Sequence, residues 1–279
     1  MGELPVAQET MTFHAAGMEE KTAMKRLQRN RFINGLSLSL KLIAGRIFPP
    51  LCWGCDAPVS DNGTLCGHCW QEVGFLEMPL CPVMGTPFSH DLGAGFLCGE
   101  AIADPPVFKR LRSVARHEGA IRHASVALKY YDRLDLAPWM ARWMQRSGHA
   151  LLDDCDVIIP VPLHRKRLWR RRYNQAAELA RNLARLSGKA YEPAVLIRHK
   201  DTRQQAELSR SERQRNVAGA FHVPDKALVK VQGRRVLLID DVYTTGATVK
   251  AACRVLLKAG ATDVDVLTFS RVLSETKIQ

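Results

Sequence analysis

The run VLLIDDVYTTGAT, residues 236–248, limits what this chain can fold into more than any other stretch. Val236, Leu237, Leu238 and Ile239 are apolar without alternation, which reads as a strand buried on both faces inside a parallel sheet. The pattern predicts that this strand ends at Asp240. Beyond the loop, TVKAACRVLLKAG places Val249, Ala252, Val255, Leu256 and Ala259 at helical spacing and closes on Gly260, a common helix stop. An acidic pair and a group of threonines therefore lie between a buried strand and a helix.

That position carries chemical meaning. Open parallel sheets take ligands outside the carboxyl ends of their strands, and the free amides of a helix N-terminus favour phosphate. Neither the Walker lysine nor a GxGxxG pattern is present. Asp240 and Asp241 would repel a bare phosphate, so they need a separate role, either accepting hydrogen bonds from vicinal sugar hydroxyls or holding hydrated Mg²⁺. Ribose joined to phosphate suits both halves of the run. A single Asp or Thr here would ordinarily just cap a helix.

The run resembles the phosphoribosyl pyrophosphate (PRPP) signature of type I phosphoribosyltransferases. The resemblance implies that Asp240 and Asp241 contact the ribose hydroxyls. It also implies that the segment from Val242 and Tyr243 into Thr244, Thr245, Gly246, Ala247 and Thr248 wraps the 5′-phosphate.

With 279 residues and 46% hydrophobic content, the chain can bury a sizeable core, which excludes disorder throughout. Its formal charge of +12 predicts attraction to polyanions, whether phosphorylated metabolites, nucleic acid or acidic lipid. No stretch reaches the roughly 18 uncharged apolar residues of a spanning helix. The nearest, residues 33–48, is broken by Lys41 and Arg46 and reads as an amphipathic lead-in helix or a basic membrane-surface helix, behind a poorly ordered tail.

Six of the eight cysteines fall between residues 52 and 98. CWGC (Cys52, Cys55) and CGHC (Cys66, Cys69) are two CxxC knuckles, a tetrahedral thiolate set suited to structural Zn²⁺ and leaving no open catalytic position. Disulfides are the alternative, but paired knuckles without an export signal favour metal in a cytoplasmic setting. CPVMG at 81–85 and CGEA at 98–101 look like a second knuckle pair in which Met84 and Ala101 replace cysteines, and neither is a good zinc ligand. His68 and His90 read as surface residues.

Over about residues 46–273 the chain resembles the ComF (competence protein F) family, bacterial proteins with a zinc ribbon ahead of a phosphoribosyltransferase-like domain. Residues 1–45 read as the tail and lead-in helix, and the resemblance implies a ribbon over 46–103 and, over 104–279, an α/β type I phosphoribosyltransferase-like fold with a mostly parallel central sheet. It further implies a PRPP or ribose 5-phosphate ligand with Mg²⁺, an association with DNA uptake and single-stranded DNA, and a DNA-uptake helicase as partner. A non-catalytic sensor of a sugar-phosphate remains the alternative to a transferase, because no acceptor-base pocket is legible.

The remaining candidates lie in three segments. SVARHEG reads as a strand entering the helix AIRHASVALKYYDR, near whose end Lys129 resembles a position close to the sugar-phosphate; a solvated lysine is the alternative. LAPWMARWMQ is another helix, whose Trp139, Met140, Trp143 and Met144 stripe reads as core. DVIIPVPLHRKRLWRRRYNQ gives a second doubly buried strand, and the resemblance assigns the next loop, Val161, Pro162, Leu163, His164 and Arg165, to pyrophosphate. The cations Arg165, Lys166, Arg167, Arg170, Arg171 and Arg172 exceed what one pyrophosphate needs. Interleaved with Trp169 and Tyr173, they read either as a solvated face or as a track for single-stranded nucleic acid. The Arg-rich stretch 201–221 resembles a mobile flap over bound PRPP, with Arg203, Gln204, Gln205, Arg213 and Asn216 as its candidate contacts.

Overall fold

A computed structural model describes residues 50–61, 63–93, 95–200 and 219–273. The expected lead-in helix and the flap residues Arg203, Gln204, Gln205, Arg213 and Asn216 lie outside the described residues.

The doubly apolar runs form strands, as their lack of alternation requires. Strands β1 (Leu111–Arg116), β2 (Val157–Pro160), β3 (Ala190–Tyr191), β6 (Arg235–Tyr243) and β7 (Asp263–Arg271) make a five-stranded sheet in the order β1-β7-β6-β2-β3. Every pair in it is parallel. A separate short antiparallel pair, β4 (Ile197–Arg198) and β5 (Phe221–His222), flanks residues 201–218.

The helices are α1 (Gly67–Gln71), α2 (Gly99–Ala103), α3 (Gly119–Tyr130), α4 (Ala137–Ser147), α5 (His149–Asp154), α6 (Arg165–Arg171), α7 (Gln175–Ser187) and α8 (Ala247–Lys258). No helix among the described residues is long and apolar enough to cross a membrane. In α4, Met140 and Met144 are buried, so the methionine half of the stripe is core; Trp139 and Trp143 are half-buried, Trp143 stacking on Phe269 of β7 at 6.4 Å and Trp139 lying under Arg142 at 4.7 Å.

One strand runs further than its sequence pattern predicts. β6 does not stop at Asp240 but continues to Tyr243, because β7 is equally long and pairs Asp240 with Thr268, Val242 with Ser270 and Tyr243 with Arg271. The backbone of the acidic pair is therefore held in the sheet, and the free loop begins only at Thr244.

The described residues divide into two units, a small one that holds 50, 51 and 58–61 and a large one that holds 52–57 and the described residues from 63 onward. In the small unit Leu51 bridges to Pro58, and the Val59 amide donates to the Pro50 carbonyl at 2.8 Å. The large unit contains all four cysteines of the first knuckle pair as well as the sheet. Its core is continuous across the expected boundary at 103/104: Cys81, Met84, Cys98 and Ala101 are buried in one cluster with Phe108, Val157, Leu238 and Val266. The segment before Glu77 also closes a sheet edge, since the Leu76 amide donates to Val114 O and the Arg116 amide to Gly74 O, each at 2.9 Å. Covering an edge strand in this way satisfies its backbone and blocks pairing with other chains.

Candidate functional site

The strand order fixes where a ligand can enter. β6 continues through α8 to β7 on one side, and β2 continues through α7 to β3 on the other, so the connections diverge between β2 and β6. Such a reversal opens a crevice at the carboxyl ends of the two strands. A cleft of about 290 Å³ lies there, lined from β6 by Asp240, Asp241, Val242 and Tyr243, from its loop by Thr244 and Gly246, and from the β2 loop by Val161, Pro162 and Leu163.

Lys129 from α3 faces the acidic pair across the cleft and pairs with Asp241 at 2.5 Å. Lys129 therefore lines the cleft rather than standing in open solvent. The Asp241 amide donates to Asp240 Oδ1 at 2.9 Å. Burial and the adjacent Asp241 carboxylate nevertheless push the Asp240 carboxyl up to about 8. Lys129 thus balances Asp241, while the Asp240 carboxyl holds its proton up to about 8; two hydroxyl donors, or the hydration shell of Mg²⁺ displacing that proton, suit the pair.

The β6–α8 loop turns on Gly246, whose φ of +72° favours glycine and whose added Cβ would stand 2.3 Å from the Tyr243 hydroxyl. The helix that follows opens at Ala247, with Ala247 and Thr248 lining the cleft. Thr245 is not a lining residue, although its buried Oγ1 lacks a hydrogen-bond partner among the described residues.

On the opposite wall the cations differ from those read in the sequence. His164 caps α6, accepting from the Lys166 amide at 3.4 Å, and neither His164 nor Arg165 lines the cleft. Arg167 and Arg171, farther along α6, do. Arg171 stacks over the Tyr130 ring at 5.0 Å, donates to its hydroxyl at 3.3 Å and donates to Gln175 Oε1 at 3.3 Å. The outer face of α6 is solvated: none of its residues is buried and Trp169 is 88% exposed. Lys166, Arg170 and Arg172 share that exposure, whereas Tyr173 is half-buried with its hydroxyl donating to Leu128 O, which removes it from the expected free aromatics.

Seven further lining residues were not among the sequence candidates: the apolar Ala176 and Val249, and the polar or aromatic His117, Tyr130, Asn174, Gln175 and Arg198. Asn174 caps α7 through the Ala176 amide at 3.1 Å and donates to Val161 O at 3.0 Å, tying the β2 loop to the helix. Asn before a helical run is a readable cap signal. Gln175 is 3% exposed and its Nε2 has no hydrogen-bond partner among the described residues. His117, at the carboxyl end of β1, binds Ser270 Oγ through Nδ1 at 2.9 Å, and burial and nearby Lys129 lower its pKa. Arg198 sits on β4 next to the polar stretch, with no sequence pattern to distinguish it.

The cysteine tetrad forms the second chemical centre. The thiol sulfurs of Cys52, Cys55, Cys66 and Cys69 all lie within 4.8 Å of one another, a closed four-sulfur set for tetrahedral Zn²⁺. Burial opposes ionisation of Cys52, but the amides of Cys66, Gly54 and Cys55 outweigh it and lower the thiol to about 7. In the second knuckle pair, Cys81 Sγ receives amides from Met84 and Cys98 at 3.4 Å each, repeating the Gly54 and Cys66 contacts to Cys52 Sγ at 3.4 and 3.2 Å. The knuckle geometry persists there, but Met84 and Ala101 fill the ligand positions and are core.

Residues 43–102 match the double zinc ribbon domain, and residues 174–277 match the phosphoribosyl transferase domain. The chain is 33% identical over 233 residues to the DNA utilization protein YhgH of Salmonella typhimurium, covering 81% of this chain and 98% of that protein. It is 27% identical over 232 residues to Competence protein F of Haemophilus influenzae, covering 79% and 90%. Among solved structures, the allosteric regulatory enzyme of purine biosynthesis aligns with a TM-score of 0.36 at 22% identity, over 52% of this chain and 30% of that one.

Proposed function

The chain belongs to the ComF (competence protein F) family, and on that premise we propose that its cleft binds PRPP with Mg²⁺ and transfers the phosphoribosyl group, releasing pyrophosphate. The observation that carries this reading is the meeting, at one strand-order reversal, of Asp240 and Asp241 with a glycine-turned loop on one wall and Lys129, Arg167 and Arg171 on the other.

In this reading the carboxylates accept from the ribose 2′- and 3′-hydroxyls, and Thr244–Thr248 with the α8 N-terminus receive the 5′-phosphate. Pyrophosphate lies against Val161–Leu163, with Arg167, Arg171 and the unpartnered Gln175 Nε2 as donors. Bound Mg²⁺ would be held through Asp240 and Asp241 and would supply positive charge against the leaving oxygens. The residues themselves hold the anomeric carbon open to a nucleophile while cations clamp the departing charge, the largest contribution available to an oxocarbenium-like transfer. Residues 46–103 serve as the ribbon module and 104–279 as the transferase module of a cytoplasmic protein.

Calorimetric titration of PRPP with Mg²⁺ tests the site. Submillimolar binding by the native chain and none by an Asp240→Asn, Asp241→Asn variant is expected, with acceptor-dependent pyrophosphate release marking turnover. No binding by folded, zinc-loaded protein would sink the reading.

The solvated face of α6 favours a second role, contact with single-stranded DNA beside a DNA-uptake helicase. Lys166, Arg170 and Arg172 would follow the phosphates and Trp169 would stack on a base. Salt-dependent binding of an oligonucleotide that a Lys166→Glu, Arg170→Glu variant loses would support it. Binding unchanged by that variant would remove α6 from the interface.

A further inference from the structure

A second cavity, of about 400 Å³, lies away from the cleft described above, between α1, the segment leading into β1, and helices α4 and α5. Its apolar surface comes from Phe75, Leu76, Val114, Trp143 and Leu151, with Trp70, Met78 and Leu80 at the edge. Trp70 is 48% and Met78 77% exposed, so the groove opens onto bulky apolar side chains in water. Clefts of this size and lining are where ligands and side chains of partners bury their apolar parts.

The charge around the groove has one sign in excess. Arg110, Arg112 and Arg146 line it against a single lining carboxylate, Glu77, with His149 beside them. Arg110 is already engaged by Asp265 at 2.5 Å and Asp154 at 2.8 Å. Among the described residues Arg146 pairs with the solvent-exposed Glu77, at 3.0 Å, a contact of small worth that a competing carboxylate can replace. His149 is bound by Nδ1 to Arg146 O at 3.1 Å.

Arg112 is the informative member. Its guanidinium donates to two carbonyls, Pro82 O at 3.1 Å and Leu111 O at 2.8 Å, and no carboxylate among the described residues pairs with it. A part-buried arginine facing an apolar groove without an anion is a preformed receptor for a carboxylate, since its planar fork binds one bidentately and is already held in place.

We propose that this groove docks an acidic peptide segment of a partner protein, with a bulky apolar side chain of the peptide seated between Trp70, Met78 and Trp143 and a neighbouring carboxylate on Arg112. The apolar side chain supplies most of the affinity by burial, as anchors in interface pockets do. The carboxylate supplies orientation and selects against the neutral and basic peptides that the same apolar surface would otherwise accept. The chain's formal charge of +12 favours encounter with such a segment.

The test is a titration of the zinc-loaded full chain with a fluorescein-labelled peptide of aspartate and glycine ending in leucine and phenylalanine. Its partner control has every aspartate replaced by serine. Anisotropy should report a Kd of about 1–100 μM for the acidic peptide, with quenching of tryptophan emission from Trp70 and Trp143. Met78→Glu, at a side chain exposed enough to leave the fold intact, should weaken binding tenfold or more by placing a like charge at the groove. Arg112→Gln should weaken the acidic peptide and bring it level with the serine control. Equal binding of the two peptides to the native chain, binding unaffected by Met78→Glu, or no binding at about 1 mM peptide would overturn the proposal. A stable dimer that Met78→Glu dissociates would overturn it equally, by making a second copy the occupant.

Discussion

Asp240 illustrates a conflict between binding and stability located in one side chain. Its carboxyl is pushed up to about 8 by burial and by the Asp241 carboxylate next to it. An unfolded aspartate titrates near 3.8. Between these values the folded chain keeps a proton that the unfolded chain releases, so unfolding gains as pH rises from about 4 to about 8, and the penalty is complete above that. Asp240→Asn removes the titration. The variant should equal the native protein near pH 4 and exceed it by on the order of 1–3 kcal/mol at pH 8.5, after allowance for the open side of the cleft. Denaturant unfolding at the two pH values checks this. A variant less stable than native at pH 8.5 would show that the carboxylate makes favourable contacts in the empty cleft. The same substitution should abolish sugar-phosphate binding, a trade common where a site holds unfavourable charge for its ligand.

At the scale of elements, Asn174 joins a helix cap to the shape of a loop. One side chain accepts from the Ala176 amide at the start of α7 and donates to Val161 O in the loop that follows β2. Asn174→Ala should cost about 1–2 kcal/mol of stability through the lost cap and weaken PRPP binding beyond that by releasing the β2 loop. Asn174→Asp keeps the cap acceptor but cannot donate to Val161 O, so it should keep most of the stability and still bind PRPP less well. Parallel thermal melts and calorimetry separate the two effects; equal binding by both variants and native protein would detach the loop from the helix.

Elements of this kind also show how far the sequence can be read. β6, α8 and the loop between them follow from local pattern, because a doubly buried strand and an amphipathic helix each leave a periodic trace. The four clustered cysteines follow from spacing alone. His117, Tyr130 and Arg198 did not, because what makes them cleft residues is the meeting of β1, α3 and β4 with β6, and that depends on long-range pairing rather than on neighbours in the chain. The same limit explains Arg165 and Arg171: both lie in one basic run, and only the turn of α6 decides that Arg171 faces Tyr130 and the cleft while Arg165 faces water.

On the scale of the molecule, the cysteine knuckles and the sheet share one core. Trp53 and Trp70, each next to a cysteine of the tetrad, pack on Trp143 of α4 with ring centroids 5.6 and 5.5 Å apart. Trp143 in turn stacks on Phe269 of β7. Aromatic pairs of this geometry contribute beyond the area they bury. A structural zinc holding Cys52, Cys55, Cys66 and Cys69 therefore fixes two rings of a cluster that reaches the central sheet. A ribbon attached only by a tether would unfold separately on chelation and leave the melting of the sheet where it was. A ribbon built into the core should not. Removing zinc with a strong chelator is expected to lower a single cooperative transition by about 5 °C or more and to shift the tryptophan emission of the folded protein, because three of the affected rings are indoles. Calorimetry with and without chelator distinguishes the cases. Two separate transitions, only one of them sensitive to zinc, would show that knuckles and sheet fold independently and that the Trp143 cluster is a contact surface rather than core.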